Sequence, residues 1–153
     1  MKNYVTYKSP IGLLFLTAEN EALTGVHFKK TELYGVKEKE TPILLKSKKQ
    51  LDEYFCGKRK IFDLKLDLSG TDFQKKAWQH LQKIPFGKTR SYGDQAKSAG
   101  AAKAVRAIGT ANGRNPIAII VPCHRVIRSD GSLGGYAGGL HIKKFLLELE
   151  SNS

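Results

Sequence analysis

The chain has 153 residues, 41% of them hydrophobic, enough to bury a core as one compact domain or two small lobes. Its formal charge of +12 is uneven, with 13 Lys/Arg against 5 Asp/Glu in residues 71–153 and 13 against 9 in residues 1–70, which favours a polyanionic partner that releases counterions on contact. Two cysteines without CxxC spacing argue against a disulfide framework or a cysteine-rich zinc site, and no apolar run reaches the length of a signal-peptide core or a membrane span, so an intracellular protein with reduced thiols and no membrane partner is expected.

Three short strands are predicted first, at residues 4–7, 13–17 and 23–28. Turns at Ser9-Pro10-Ile11-Gly12 and Glu19-Asn20-Glu21 separate them, the pattern of an antiparallel meander. Thr41-Pro42 then opens a helix with Leu44, Lys48, Leu51 and Tyr54/Phe55 along one side. It stops at Gly57, and Cys56 beside it is a bystander. Residues 61–68 are apolar at alternate positions, as in a strand or extended linker, and Ser69-Gly70 marks a lobe boundary.

The capping box Thr71-x-x-Gln74 begins an amphipathic helix that uses Phe73, Ala77, Leu81 and Ile84. A second box, Ser91-x-x-Asp94, starts a short helix that Gly100 ends, and another helix is predicted from 101 to about 112. Two helices joined through a glycine suit a helix-turn-helix. On the later helix Ala101, Ala104, Val105 and Ile108 form an apolar side, opposite Ala102, Arg106, Gly109, Thr110 and Gly113. That second face is one long cation among small residues. By itself, Arg106 is either a solvated charge or a side chain able to enter a DNA groove or base stack.

The apolar run Ile117-Ala118-Ile119-Ile120-Val121 reads as a buried strand, and Pro122-Cys123-His124-Arg125-Val126 follows it. Cys123 is therefore expected where a strand breaks into a loop, with Pro122 fixing the exit. A thiol with a pKa of about 8.5 needs a base or positive surroundings to become thiolate, and His124 and Arg125 offer both. Neighbours on an extended chain face opposite ways, so the imidazole reaches the sulfur only through a bridging water or a turn at Cys123. Taken alone, Cys123 is either a small buried hydrophobe or an activated nucleophile. Asn115-Pro116 makes a turn upstream and Asp130-Gly131 another downstream. Glycines flank Tyr136 in Leu133-Gly134-Gly135-Tyr136-Ala137-Gly138-Gly139, leaving room for a flat ligand to stack on its ring.

This constellation resembles the O6-alkylguanine-DNA alkyltransferases, or methylated-DNA–protein-cysteine methyltransferases, whose hallmark pentapeptide stands at residues 122–126. The resemblance runs through Asn115-Pro116, residues 134–139 and the closing helix at 143–150, and back to Thr71-Asp72-Phe73-Gln74 and residues 84–92. Residues 1–68 match the family's N-terminal lobe more loosely. What it implies is an α+β fold: a supporting lobe, 1–68, with a three-stranded antiparallel sheet plus a helix, and a mostly helical lobe, 71–153, with a winged-helix-like helix-turn-helix and the active-site strand and loop.

The implied activity is irreversible, single-turnover transfer of the alkyl group of O6-alkylguanine, chiefly O6-methylguanine, from double- or single-stranded DNA to Cys123. The same resemblance makes His124 the base acting through a water, Glu150 the carboxylate that orients it, and Asn115 a brace for the turn. Tyr92 would crowd the 3′ phosphate and protonate or hydrogen-bond N3 of the departing guanine. Arg106 would replace the extruded base in the stack, with Ala102, Gly109 and Thr110 on the face that meets the minor groove. Tyr136, the Val126 backbone and Ala137 would line the pocket, Ala137 standing where many relatives carry serine. The cysteine–histidine zinc cluster of some relatives is missing from the N-terminal lobe, so no metal and no cofactor are expected. The protein is expected to act as a monomer in the cytoplasm, at the nucleoid. A DNA-binding regulator would share the helices and charge without needing the thiol, and a Cys-His hydrolase would use the thiol without needing Arg106.

Overall fold

The structure, a computed structural model, describes residues 1–152. Met1–Leu68 with Pro116–Ala118 make one compact unit, and Ser69–Asn115 with the chain from Ile119 onward make another.

In the first unit, β1 (Asn3–Ser9), β2 (Gly12–Glu19) and β3 (Ala22–His27) form the expected antiparallel meander. Central β2 is buried on both faces from Leu14 to Ala18. The hairpin between β2 and β3 turns through Asn20 and Glu21, both with positive φ, the twist a two-residue loop needs to match its strands. The sheet gains a fourth strand that was not expected. β4 (Lys37–Glu38) pairs parallel to β1, giving the order β3-β2-β1-β4; two residues carry no period by which a sequence could announce them. Thr41 caps α1 (Pro42–Phe55), accepting from the Leu44 N–H at 3.4 Å, and the helix buries Leu44, Leu51 and Tyr54. The outer edge of β3 is covered twice: Leu66 bridges Leu23 and Ile117 bridges Val26, which removes an open edge.

The second unit holds α2 (Asp72–Gln82), β5 (Arg90–Ser91), α3 (Tyr92–Ser98), α4 (Val105–Gly113), β6 (Val126–Ile127) and α5 (Leu140–Ser151). Both reciprocal bonds of the Thr71/Gln74 capping box are present at α2. Trp78 ties α2 to α4 by donating its indole N–H to the Ala111 carbonyl at 2.9 Å. The Gln95 and Asn112 side-chain amides exchange hydrogen bonds of 2.8 and 2.7 Å between α3 and α4. Buried and mutually satisfied, this pair sets the angle of the two helices more specifically than apolar contact would.

Two expectations are corrected. The later helix starts at Val105, and residues 101–104 form a turn held by bonds from the Ala101 N–H to the Ala96 carbonyl and from the Ala104 N–H to the Ala101 carbonyl. Ala102 therefore stands in the turn, and Val105 is 42% exposed instead of packing inward. The run 117–121 is buried as expected, but it is not a strand: Ile117 makes a single bridge, and the chain turns through Ala118, Ile119 and Ile120 with Ile119 at φ 73. A short apolar run reports burial and leaves backbone shape open.

Candidate active site

Cys123 is nearly buried and opens a turn of 3-10 helix, Cys123–Arg125. The turn that an extended segment lacked is thus present. It closes through the Arg125 N–H to the Pro122 carbonyl at 3.0 Å and directs His124 into the interior, where its exposure is 0%. His124 Nε2 lies 2.6 Å from Glu150 Oε2 at the end of α5. Arg125, expected to lend its charge to the thiol, does something else. Its guanidinium grips both Glu150 oxygens at 2.8 and 3.1 Å, donates to the Ile84 carbonyl at 2.7 Å and lies over the Phe86 ring.

Burial alone would raise the Glu150 carboxyl, but its hydrogen bonds and charge interactions with His124 and Arg125 outweigh that and hold it at about 2. Burial pushes the His124 imidazole down. The consistent assignment is a carboxylate paired with Arg125 and a neutral imidazole whose Nε2–H donates to it, the tautomer being inferred from the hydrogen bond. His124 Nδ1 is then a lone-pair nitrogen, buried and without a hydrogen-bond partner among the described residues. Such a nitrogen can accept a proton.

Burial raises the Cys123 thiol, while a hydrogen bond from Asn115 and the charge of Lys143 act in the opposite direction. Asn115 also donates to the Val121 carbonyl at 2.6 Å, bracing the chain before the turn. Lys143 was not singled out in the sequence, yet its exposure is 0%. Its Nζ donates to the carbonyls of Val126, Leu133 and Gly135 at 2.7, 2.5 and 3.1 Å and to the Tyr92 hydroxyl at 3.4 Å. Burial lowers this ammonium to about 8, and an ionised Cys123 would raise it. A usable signal was its spacing, because 143, 146 and 150 share one face of α5 and all three are buried.

A cavity of about 520 Å³ opens onto Cys123. Of the residues picked from the sequence, Tyr92, Arg106, Gly109, Thr110, Cys123, Tyr136 and Ala137 line it. His124, Asn115 and Glu150 do not, and neither does exposed Ala102 in the turn before α4. Val126 is fully buried and its carbonyl is taken by Lys143, so its expected place on the pocket wall is not observed. Val105, Asn112 and Arg128 line the cavity unforeseen, beside Gly134 and Gly135 of the loop expected to leave room for a flat ligand. Gly134 sits at φ 74, and a Cβ there would come within 2.8 Å of the Tyr92 hydroxyl and ring. Burial raises the Tyr92 phenol and pushes that of Tyr136 well up, keeping both as neutral donors. Among the described residues no group of His, Cys, Asp or Glu is arranged to hold a metal ion, and no helix is long and apolar enough to cross a membrane.

Residues 72–152 match the family model for the DNA-binding domain of 6-O-methylguanine DNA methyltransferase, and residues 2–68 match the model for the ribonuclease-like domain of the same protein. A methylated-DNA–protein-cysteine methyltransferase of Methanosarcina acetivorans is 49% identical over 97% of this chain and 98% of its own. The constitutive enzyme of that name from Bacillus subtilis is 46% identical over 98% of this chain and 96% of its own. Among solved structures, Mycobacterium tuberculosis OGT in complex with DNA superposes with a TM-score of 0.92 at 47% identity, covering 98% of this chain and 93% of that one. With one family's two domain models matched in order and relatives of such identity over nearly the whole length, the chain belongs to the methylated-DNA–protein-cysteine methyltransferase family.

Proposed function

We propose that this protein repairs DNA by moving the alkyl group of O6-alkylguanine, chiefly O6-methylguanine, onto Cys123, one molecule per lesion. The family supplies the reaction class. The observation that carries the assignment is Cys123 at the wall of a cavity whose lining includes Arg106, with a neutral His124 held behind it by Glu150.

A paired guanine cannot bring its O6 substituent to a protein sulfur, so the nucleotide must leave the stack. The face of α4 that bears Arg106, Gly109 and Thr110 is smooth enough to lie in the minor groove, and Arg106 fills the gap left by the base. The guanine enters the cavity beside Tyr136. His124 Nδ1 takes the thiol proton through a water, the sulfur attacks the alkyl carbon, and the C–O6 electron pair stays on guanine. Tyr92 answers that charge by hydrogen-bonding N3, with the Lys143 ammonium beside its hydroxyl. A thioether is not readily cleaved, so the molecule is used once. It acts as a monomer on double- or single-stranded DNA inside the cell, with residues 1–68 in a supporting role.

The test is to incubate the protein with duplex DNA containing O6-methylguanine and measure its mass. A gain of one methyl on Cys123, lost in Cys123→Ser while DNA binding survives, supports the assignment. Binding with unchanged mass would indicate a regulator, and repeated turnover of an ester or amide would indicate a hydrolase.

A further inference from the structure

Two arginines line the cavity, and the alkyl-transfer reading gives a task to only one of them. Arg106 projects from α4, whereas Arg128 comes from the turn that follows β6. That turn places Arg128 firmly. β5 and β6 run parallel with Arg90 opposite Val126 and Ser91 opposite Ile127, so the next residue of each strand, Tyr92 and Arg128, leaves the same end of the sheet side by side. The Arg128 N–H donates to the Ser132 carbonyl and the Gly131 N–H to the Arg128 carbonyl, both at 2.9 Å. The nearby carboxylate is engaged elsewhere: Asp130 Oδ1 accepts from the Ser132 N–H at 2.9 Å and from its hydroxyl at 2.7 Å. Arg128 is exposed and makes no ion pair with any described residue.

Among the described residues no Asp or Glu lines this cavity, whose wall carries two guanidiniums, with Lys143 as a third cation behind Tyr92; the one carboxylate that feels the charge of Arg128 is Asp130 in the exposed turn, outside the lining. An O6-alkylguanine base is uncharged and offers such cations nothing to neutralise. The phosphates on either side of it do, and a guanidinium fork matches two phosphate oxygens at once. We infer that Arg128 grips a backbone phosphate flanking the extruded nucleotide, making the 128–132 turn a second DNA-holding wall beside Tyr92. This rests on the alkyl-transfer reading. It assigns Arg128 a positioning role, separate from the gap filled by Arg106.

The experiment crosses protein and DNA substitutions. Transfer rates are measured at subsaturating duplex in which the phosphate 5′ or 3′ to O6-methylguanine is replaced by an uncharged methylphosphonate, with the unsubstituted protein, Arg128→Gln and Arg128→Lys. Arg128→Gln should slow duplex repair about tenfold, the scale of one charge-assisted contact, and leave reaction with free O6-benzylguanine nearly unchanged. One of the two methylphosphonates should slow the unsubstituted protein but not Arg128→Gln, since the partner is already gone. Arg128→Lys should recover part of the loss. Equal slowing of duplex and free-base reactions, or methylphosphonate effects that are the same in both proteins at both positions, would overturn the assignment alone. No methyl transfer from any duplex by the unsubstituted protein would overturn the functional reading together with it.

Discussion

Lys143 carries a charge where few lysines can keep one, and the thiol is the group that gains. Thiolate and ammonium stabilise each other, so their protons come off as a coupled pair. With His124 taking the thiol proton, transfer to Cys123 from free O6-benzylguanine should therefore weaken as the pH rises through about 8, where Lys143 loses the charge that supports the thiolate. In Lys143→Met the rate at neutral pH should drop about tenfold or more and the alkaline fall should vanish. An alkaline fall that persists in this variant would free Lys143 of the role. Tyr92 offers a second test through Gly134. Gly134→Ala would push a methyl into the Tyr92 ring at a positive φ, whereas Gly135 has open space around it, so Gly134→Ala should slow single-turnover repair and lower the melting temperature while Gly135→Ala leaves both nearly intact. At this scale the sequence was readable where residues form a linear motif. Cys123 and His124 are adjacent and Glu150 came with the family resemblance. Lys143 and Arg128 went unread because a lysine on an amphipathic helix and an arginine beside an Asp-Gly turn are ordinary solvated residues until the fold brings them to one cavity.

Among the elements, α4 carries the test of base extrusion. Arg106→Ala should cut the rate on duplex DNA far more than the rate on free O6-benzylguanine, because unstacking costs a few kcal/mol only in the duplex. The ratio, taken at saturating DNA, is the quantity to measure. An equal fall in both rates would make Arg106 a support of the cavity, and normal rates would return it to the solvent. The elements that could be read were those with a period and punctuation: β1 to β3 with turns between them, α1 behind Thr41-Pro42, and α2 behind its capping box. Where tertiary hydrogen bonds outvoted local preference, reading failed. Residues 101–104 are alanine-rich and favour helix, yet bonds back to Ala96 and Ala101 hold them as a turn. Ile119 is harder still, since a β-branched side chain is the kind least expected at φ 73. That conformation costs about 1–3 kcal/mol, and the burial of Ile119 and its neighbours offsets it.

For the molecule as a whole, the ion cluster around Glu150 joins distant parts of the second unit: the segment at Ile84 and Phe86, the turn at Cys123–Arg125 and the end of α5. Its pH dependence follows from the sign of one shift. The Glu150 carboxyl lies at about 2 in the folded state against an ordinary 4.5, so its contribution is fully present above 4.5 and is lost as pH falls through to about 2. At about 1.4 kcal/mol per pH unit, this amounts to about 3 kcal/mol. The chain has one tryptophan, Trp78, buried in the second unit, so its fluorescence reports that unit's unfolding in urea. The midpoint should decline between pH 4.5 and 2 in the unsubstituted protein. In Glu150→Gln that decline should be much shallower, but the protein should be less stable at pH 7 by about 3–5 kcal/mol because Arg125 is left buried without its partner. Adding Arg125→Met should restore much of that stability without restoring the orientation of His124. The double variant therefore separates the two roles of the carboxylate: recovered stability with transfer still slow makes Glu150 an orienter of the base as well as a structural anion. Transfer at the unsubstituted rate in that stable double variant would leave it only the structural one.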